Sequence, residues 1–247
     1  MDKSVLTIAG LDPSGGAGLL ADVKTFHQFG MNGFGVCTAI TYQNESECLG
    51  LQWLSLGNIL DQLRPLGSYE VEAVKIGLVK NLEVLQKLLA LVKSKFPKAQ
   101  VVWDPVIKAS AGYTFHDAWS RSLLVEVMAM VDVLTPNQPE AEFLSKMLNV
   151  KSLEKLDADV AVILKGGHAN GALSEDVLLR KGNAPFYLQN ERLAGKSIHG
   201  SGCVFSSALA AGLAKGQTLE EAFRQAKLYV FELLKQSNTA LGQHHLL

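Results

Sequence analysis

Val5-Leu6-Thr7-Ile8-Ala9 runs directly into Gly10-Leu11-Asp12-Pro13-Ser14-Gly15-Gly16-Ala17-Gly18. The first segment is apolar without alternation, as in a strand covered on both faces, and the second carries the proline and closely spaced glycines of a sharp turn. A helix-periodic stretch from Gly15 to Gly30 follows. Strand, tight turn and helix are the repeating unit of a parallel α/β sheet, and the rest of the chain repeats it. Further strands are predicted at Gly35–Ile40, Ala73–Ile76, Gln100–Trp103, Val131–Leu134 and Val160–Leu164, with helices over 57–68, 80–94, 116–129 and 138–148. Two short runs near Asp176–Arg180 and Pro185–Leu188 predict an antiparallel extension, and helices over 202–215 and 218–237 complete the chain.

Composition narrows the function. The 247 residues suffice for one α/β domain with a substantial core, and no linker or internal repeat divides 1–247. The formal net charge is −1 and no basic run marks a nucleic-acid or membrane partner, so small molecules are the expected ligands. Three cysteines, Cys37, Cys48 and Cys203, form neither a metal-ligand pattern nor an even disulfide set, which fits a reducing cytoplasm. The amino terminus enters a strand without a signal h-region, and no apolar run nears the roughly 20 residues of a spanning helix, so a soluble, cytoplasmic protein is expected.

In a sheet of this kind ligands bind beyond the carboxyl ends of the strands. The residues there are Gly10 to Gly18, Gln43-Asn44, Asp104-Pro105-Val106, Asn137 with Glu140, and Lys165-Gly166-Gly167-His168. The glycine-rich turn is neither a Walker A loop nor a G-x-G-x-x-G fingerprint. Adjacent amides at Gln43-Asn44 suit a polar heterocycle. Asp104 and Glu140 suit hydrated Mg²⁺, although Asn137 and Glu140 are equally explained as a helix cap. Lys165 suits a phosphate, or is a solvated strand end.

The last motif is His199-Gly200-Ser201-Gly202-Cys203, entering the small apolar run from Val204 to Gly212. Such a loop aims free backbone N–H groups at one point, where the helix dipole favours an anion. The same field favours a thiolate, so Cys203 is expected to accept a proton near neutral pH; the plain structural alternative is a buried apolar cysteine in a close-packed helix. His27 and His116 read as surface or helix-face residues, and Cys37 and Cys48 as core or strand-end thiols. His168 and His199 either touch a phosphate or order their loops, and His244-His245 reads as a frayed end.

Taken together, Ala9 to Gly18 with Ala21-Asp22 and Lys24-Thr25-Phe26, Gln43-Asn44, Lys75-Ile76-Gly77, Asp104-Pro105-Val106, Leu134-Thr135-Pro136-Asn137 with Pro139-Glu140-Ala141, Lys165 to His168, and His199 to Cys203 resemble the hydroxymethylpyrimidine/phosphomethylpyrimidine kinases of thiamine biosynthesis. The resemblance implies a ribokinase-like three-layer α/β/α sandwich with a mostly parallel sheet, and ATP-dependent phosphorylation of a hydroxymethyl group. It implies that Cys203 is the base and that Gly200, Ser201 and Gly202 form the anion hole. Gln43 would read the aminopyrimidine, while Gly10, Asp22, Leu78 and Val106 line its pocket. Asp104 and Glu140 would stand near Mg²⁺, Asn137 and Lys165 near the ATP phosphates, and a homodimer is expected.

Several positions depart from the family pattern. Ser201 replaces the usual threonine and keeps its hydroxyl, Ile198 replaces a threonine and loses one, and Leu78 replaces a methionine of similar volume. In Lys108-Ala109-Ser110-Ala111-Gly112-Tyr113, Ser110 stands at the family's lysine position with Lys108 two residues earlier, so a flap over the site is expected to differ. The carboxyl end is shorter than in many members. A pyridoxine or pyridoxal kinase of vitamin B6 salvage is the alternative within the fold, disfavoured by Gln43. A non-catalytic pyrimidine-sensing module is the alternative outside enzymology, disfavoured by Cys203, Lys165, Asp104 and Glu140.

Overall fold

A computed structural model describes residues 3–109, 112–116, 119–166 and 172–244. In chain order its elements are β1 (Ser4–Leu11), α1 (Gly18–Gln28), β2 (Asn32–Gln43), β3 (Cys48–Trp53), α2 (Leu56–Leu63), β4 (Val71–Ile76), α3 (Leu82–Lys95), β5 (Gln100–Trp103), α4 (Arg121–Met128), β6 (Val133–Leu134), α5 (Gln138–Leu148), β7 (Ala161–Leu164), β8 (Leu173–Leu179), β9 (Phe186–Glu191), α6 (Ser201–Ala214) and α7 (Leu219–Gln236). The strands form one nine-stranded sheet in the order β3-β2-β1-β4-β5-β6-β7-β8-β9. From β2 to β7 neighbouring strands are parallel; β3 at one edge and β8 and β9 at the other are antiparallel.

Strand alternation sorts the core into two halves. Leu6, Ile8, Val74, Val101 and Leu134 pack with α2 to α5, whereas Val5, Ala73, Val102, Val133 and Ile163 pack with α1, α6 and α7. The result is the three-layer α/β/α sandwich of the ribokinase-like fold. The same alternation sends Thr7 and Lys75 towards α1 and α6, because they follow Val5 and Ala73 by two. Helix α6 is buried along nearly its whole length, which its run of Ala, Ser and Gly permits between the sheet and α7.

Departures from the predicted elements have local causes. Helix α1 begins at Gly18 rather than Gly15 because Gly15, at φ 69°, belongs to the tight turn that precedes the helix. The stretch 57–68 divides at Pro65 into α2 and a short 3-10 turn. Strand β3 was not anticipated: it is only six residues long and its Gly50 weakens a strand reading, and its pairing with β2 follows from the turn at Asn44, whose side-chain oxygen accepts from Ser46 N, Ser46 Oγ and Glu47 N. His116 is neither a surface nor a helix-face residue. It lies before α4, 8% exposed, with its ring against Trp53 and Trp119.

Candidate active site

The carboxyl ends of β1, β2, β4, β5, β6 and β7 open on one edge of the sheet, and the amino terminus of α6 faces them. Gly200 enters α6 in the left-handed conformation, φ 76°, and a Cβ there would come within 2.2 Å of Gly16 O, so only glycine allows the two glycine-rich loops to meet. Gly202 faces the end of β7: a Cβ on it would lie 3.1 Å from Lys165 Nζ and 4.0 Å from Asp104 Oδ2. The first N–H groups of α6, of which Ser201 N also donates to Ile198 O at 3.3 Å, and the Lys165 ammonium therefore lie about one small volume, an arrangement suited to a phosphoryl group.

Lys165 and Asp104 form an ion pair at 2.9 Å. Burial works to lower the Lys165 ammonium, but Asp104 and Glu140 outweigh it and hold its pKa above the ordinary value. Burial likewise works to raise the Asp104 carboxyl, and the two nearby ammonium groups, Lys165 and Lys75, hold it below. Thr135 Oγ1 and Ser206 Oγ also donate to Asp104, at 3.3 and 3.2 Å. Glu140 is different. Burial and the neighbouring Asp104 charge push its carboxyl up to about 7, against the pull of Lys165.

The capping reading of the Asn137 and Glu140 pair holds. The Asn137 side chain accepts from Glu140 N at 2.9 Å and Glu140 Oε2 accepts from Asn137 N at 2.8 Å, a complete capping box on α5. The cap occupies the Asn137 side-chain oxygen and leaves its amide nitrogen for a ligand. Lys165 N donates to Pro136 O at 2.9 Å, which brings Lys165 beside this cap.

Gln43 ends β2, half-buried, and its Oε1 is enclosed with no hydrogen-bond partner among the described residues. An unmet buried acceptor is a cost that a ligand donor would remove. Asn44 does not share that role, since its oxygen is committed to the turn. Gly10 and Leu78 pack against each other, and a Cβ on Gly10 would lie 3.0 Å from Leu78 Cδ2. Val106 follows the end of β5, half-buried.

Two expectations need correction. Asp22 is 0% exposed, and its oxygens already accept from Lys75 at 2.8 and 3.0 Å, Thr7 at 2.6 Å and Ser207 at 2.7 Å. It supports the site from beneath rather than lining the pocket with a free oxygen. Cys203 lies in the first turn of α6, half-buried, yet it is not a ready thiolate. Burial pushes its thiol up to about 11, with Asp104 and Asp22 adding to the rise, and Lys75 and the Gly18 N–H pull down too weakly to reverse it.

Sequence reasoning assigned no role to Lys75. A lysine inside the apolar strand Ala73-Val74-Lys75-Ile76 was the available signal, because a buried ammonium requires a partner. His199 does not stand free beside the phosphate site: its Nε2 lies 2.8 Å from Asp12 Oδ2. Lys108 pairs with Thr114 in an isolated bridge at the base of the expected flap. Ser110 and Ala111 within the flap, and Gly167, His168 and His245, lie outside the described residues.

The chain matches proteins of known family over its whole length. A family model for phosphomethylpyrimidine kinase covers residues 12–247. The hydroxymethylpyrimidine/phosphomethylpyrimidine kinase of Haemophilus influenzae is 35% identical, the match spanning 98% of this chain and 94% of that one. Among solved structures, the pyridoxal kinase of Staphylococcus aureus in complex with AMP-PCP and pyridoxal has a TM-score of 0.83 at 27% identity, over 100% of this chain and 94% of that one. The phosphomethylpyrimidine kinase of Clostridium difficile has a TM-score of 0.74 at 30% identity, over 94% and 99%. The backbone is thus shared with both vitamin kinases, while the family model and the curated relative agree on one side of that division, and the chain belongs to the phosphomethylpyrimidine kinase family.

Proposed function

We propose that this chain, acting as one domain over 1–247, transfers the terminal phosphoryl group of ATP to the hydroxymethyl oxygen of 4-amino-5-hydroxymethyl-2-methylpyrimidine, and then to the phosphate of the resulting monophosphate, in thiamine biosynthesis. The observation that carries the choice of ring is the orphaned Oε1 of Gln43. A primary amide presents an acceptor beside a donor, and a 4-aminopyrimidine presents an amino donor beside a ring-nitrogen acceptor. With its hydroxymethyl group in the same place, pyridoxal presents an aldehyde where the pyrimidine presents its amino group, and an acceptor facing another acceptor stays unmet at a cost of about 1–3 kcal/mol.

In the transfer, the substrate hydroxyl oxygen forms a bond to the γ-phosphorus as the bond from that phosphorus to the ADP oxygen breaks, and the hydroxyl proton passes to Cys203. The backbone N–H groups at Gly200, Ser201 and Gly202 would offset the charge on the transferred group, and Lys165 and the Asn137 amide nitrogen would hold the ATP phosphates. Asp104 and Glu140 supply the oxygen donors that hydrated Mg²⁺ prefers, 3% and 7% exposed beside the Lys165 ammonium. Bound there, Mg²⁺ would neutralise charge on the β- and γ-phosphate oxygens. Because the resting cysteine is a thiol, its thiolate fraction sets how much of the protein is ready to accept the proton.

A homodimer in the cytoplasm completes the reading. Its support is the β2–β3 ribbon, where Ile40, Tyr42 and Leu49 are 37%, 49% and 76% exposed. No helix among the described residues is long and apolar enough to cross a membrane.

A coupled ADP-release assay with ATP and Mg²⁺ tests the function. Turnover of hydroxymethylpyrimidine and its monophosphate well above that of pyridoxal is expected. Preference for pyridoxal would move the chain to vitamin B6 salvage, and turnover of none of the three would leave a binding protein.

A further inference from the structure

The most completely bonded polar cluster at the site contains none of the groups assigned to substrate, phosphate or metal. Asp12, 0% exposed, receives Ser14 N and Ser14 Oγ on Oδ1 at 2.9 and 2.8 Å, and Ala17 N on Oδ2 at 2.9 Å. Its remaining partner comes from 187 residues along the chain: His199 Nε2, 2.8 Å from Oδ2, on a side chain 3% exposed. Hydrogen bonds from His199, Ser14 and Ala17 overcome burial and hold the Asp12 carboxyl below its ordinary pKa. An ionised carboxylate only accepts, so Nε2 carries the hydrogen.

The contacts around this pair are close on every side. A Cβ at Gly16 would lie 2.7 Å from His199 Cδ2, and one at Gly200 would lie 2.6 Å from Ala17 Cα. His199 N donates to Ala240 O at 2.8 Å, so the backbone of the residue preceding Gly200 is tied as well. Gly18, at the end of the same loop, directs its N–H at Cys203. The loop 12–18 therefore touches both the start of the anion hole and the cysteine, and among the described residues the Asp12 carboxylate is the charged group that joins it to 199–203.

We infer that the Asp12–His199 pair is a positioning device for phosphoryl transfer, which locks the loop 12–18 to the loop 199–203 so that the backbone N–H groups of Gly200 to Gly202 and the sulfur of Cys203 keep one fixed geometry. Neither residue touches the reacting atoms. Positioning of this kind acts on turnover more than on ground-state binding, since the anion hole is aimed at charge that develops during transfer. This inference rests on the kinase reading for its effect on rate, but the locking itself does not.

The test uses His199→Gln, whose amide nitrogen occupies the place of Nε2, and His199→Asn, whose amide nitrogen occupies the place of Nδ1 and leaves Asp12 without its partner. Steady-state kinetics, thermal melting and amide hydrogen exchange are measured on the full chain. His199→Asn is expected to lower kcat by about 30- to 100-fold with the KM for ATP and for the pyrimidine changed by less than about threefold, and His199→Gln to restore most of the loss. Exchange in 12–18 and in 198–204 is expected to quicken together in His199→Asn and not in His199→Gln. Equal loss of kcat in both variants, a fall in melting temperature that accounts for the loss, or native kcat in both would overturn the inference. If the native chain turns over none of the substrates, the kinase reading fails alone, and exchange decides the lock: loosening of one loop without the other rejects it.

Discussion

Two lysine–aspartate pairs lie between the sheet and α6, and they differ in their access to solvent. Lys75 and Asp22 are both 0% exposed, whereas Lys165 and Asp104 are 12% and 4% exposed and look onto Gly202. Each pair holds one serine of α6 a turn beyond Cys203: Ser207 donates to Asp22 and Ser206 to Asp104. The sealed pair has all its bonds within the protein and no route to a ligand. The open pair retains an ammonium beside the space where a phosphoryl group fits. On the proposed reading, similar chemistry serves as scaffold in one place and as reaction site in the other, and burial separates the two.

Removing one lysine at a time should separate the two roles. Lys75→Met strands the Asp22 charge in the core and is expected to destabilise the fold by about 3–5 kcal/mol, lowering the melting temperature by on the order of 10 °C. Lys75→Met with Asp22→Leu should recover much of that stability, because no charge is left unpaired. Lys165→Ala is expected to cost about 10²- to 10³-fold in kcat with a smaller change in melting, since the Lys75 ammonium and the Thr135 and Ser206 hydroxyls still face the Asp104 carboxylate. Melting curves and kinetics on the same preparations decide the matter. A Lys75→Met protein that melts like the native one would remove the distinction.

Cys203 sits above both pairs and responds to their charges. Its thiol is raised to about 11, so at any lower pH the thiolate fraction, and with it a base-dependent rate, should climb about tenfold per pH unit. The expected profile of kcat/KM rises from pH 7 to at least pH 9 without a plateau. Cys203→Ala should lose about 100-fold at pH 9 and flatten that slope while leaving pyrimidine binding near native. A flat native profile would assign the proton to another acceptor.

These pairs also mark where the sequence was legible. The Asp104, Lys165 and Cys203 positions were found because each follows an apolar run or opens a helix, and an α/β sheet gathers such places at one edge. The three-layer architecture was legible for the same reason, through the spacing of apolar strands and helices. Lys75–Asp22 and Asp12–His199 join residues distant along the chain, and no local pattern specifies which buried charge meets which. Strand β3 escaped because an edge strand packed on one side needs no continuous apolar run. The elevated Cys203 thiol escaped because a helix terminus is visible in a sequence and the depth of burial is not.

Gln43 offers a smaller and more selective effect than the lysines. Its Oε1 is enclosed without a partner among the described residues, so the acceptor already bears the cost of burial before any ring arrives. Gln43→Met removes both amide groups at nearly constant volume. The KM for the pyrimidine is expected to rise by about 5- to 100-fold, with the KM for ATP unchanged. Discrimination against pyridoxal should shrink by a similar factor. Equal movement of both KM values would place Gln43 in the scaffold rather than against the ring.

The finest resolution of the comparison comes from two neighbours in the first turn of α6. Gly202 faces the open pair, where an added Cβ would stand 3.1 Å from Lys165 Nζ. Gly202→Ala must displace the end of that lysine by a few tenths of an ångström, and a shift of a phosphate-binding ammonium is expected to lower kcat by about tenfold. Ser201 is half-buried at the first position of the helix, and Ser201→Thr keeps the hydroxyl while adding a methyl group. The change in kcat there should be within about twofold, because the added methyl group leaves the hydroxyl and the backbone N–H in place. Both variants are to be assayed with saturating ATP and pyrimidine. A single methyl group would then separate a position that faces the Lys165–Asp104 pair from one that does not, and a larger loss at Ser201 than at Gly202 would place the phosphoryl group on the other side of the helix terminus.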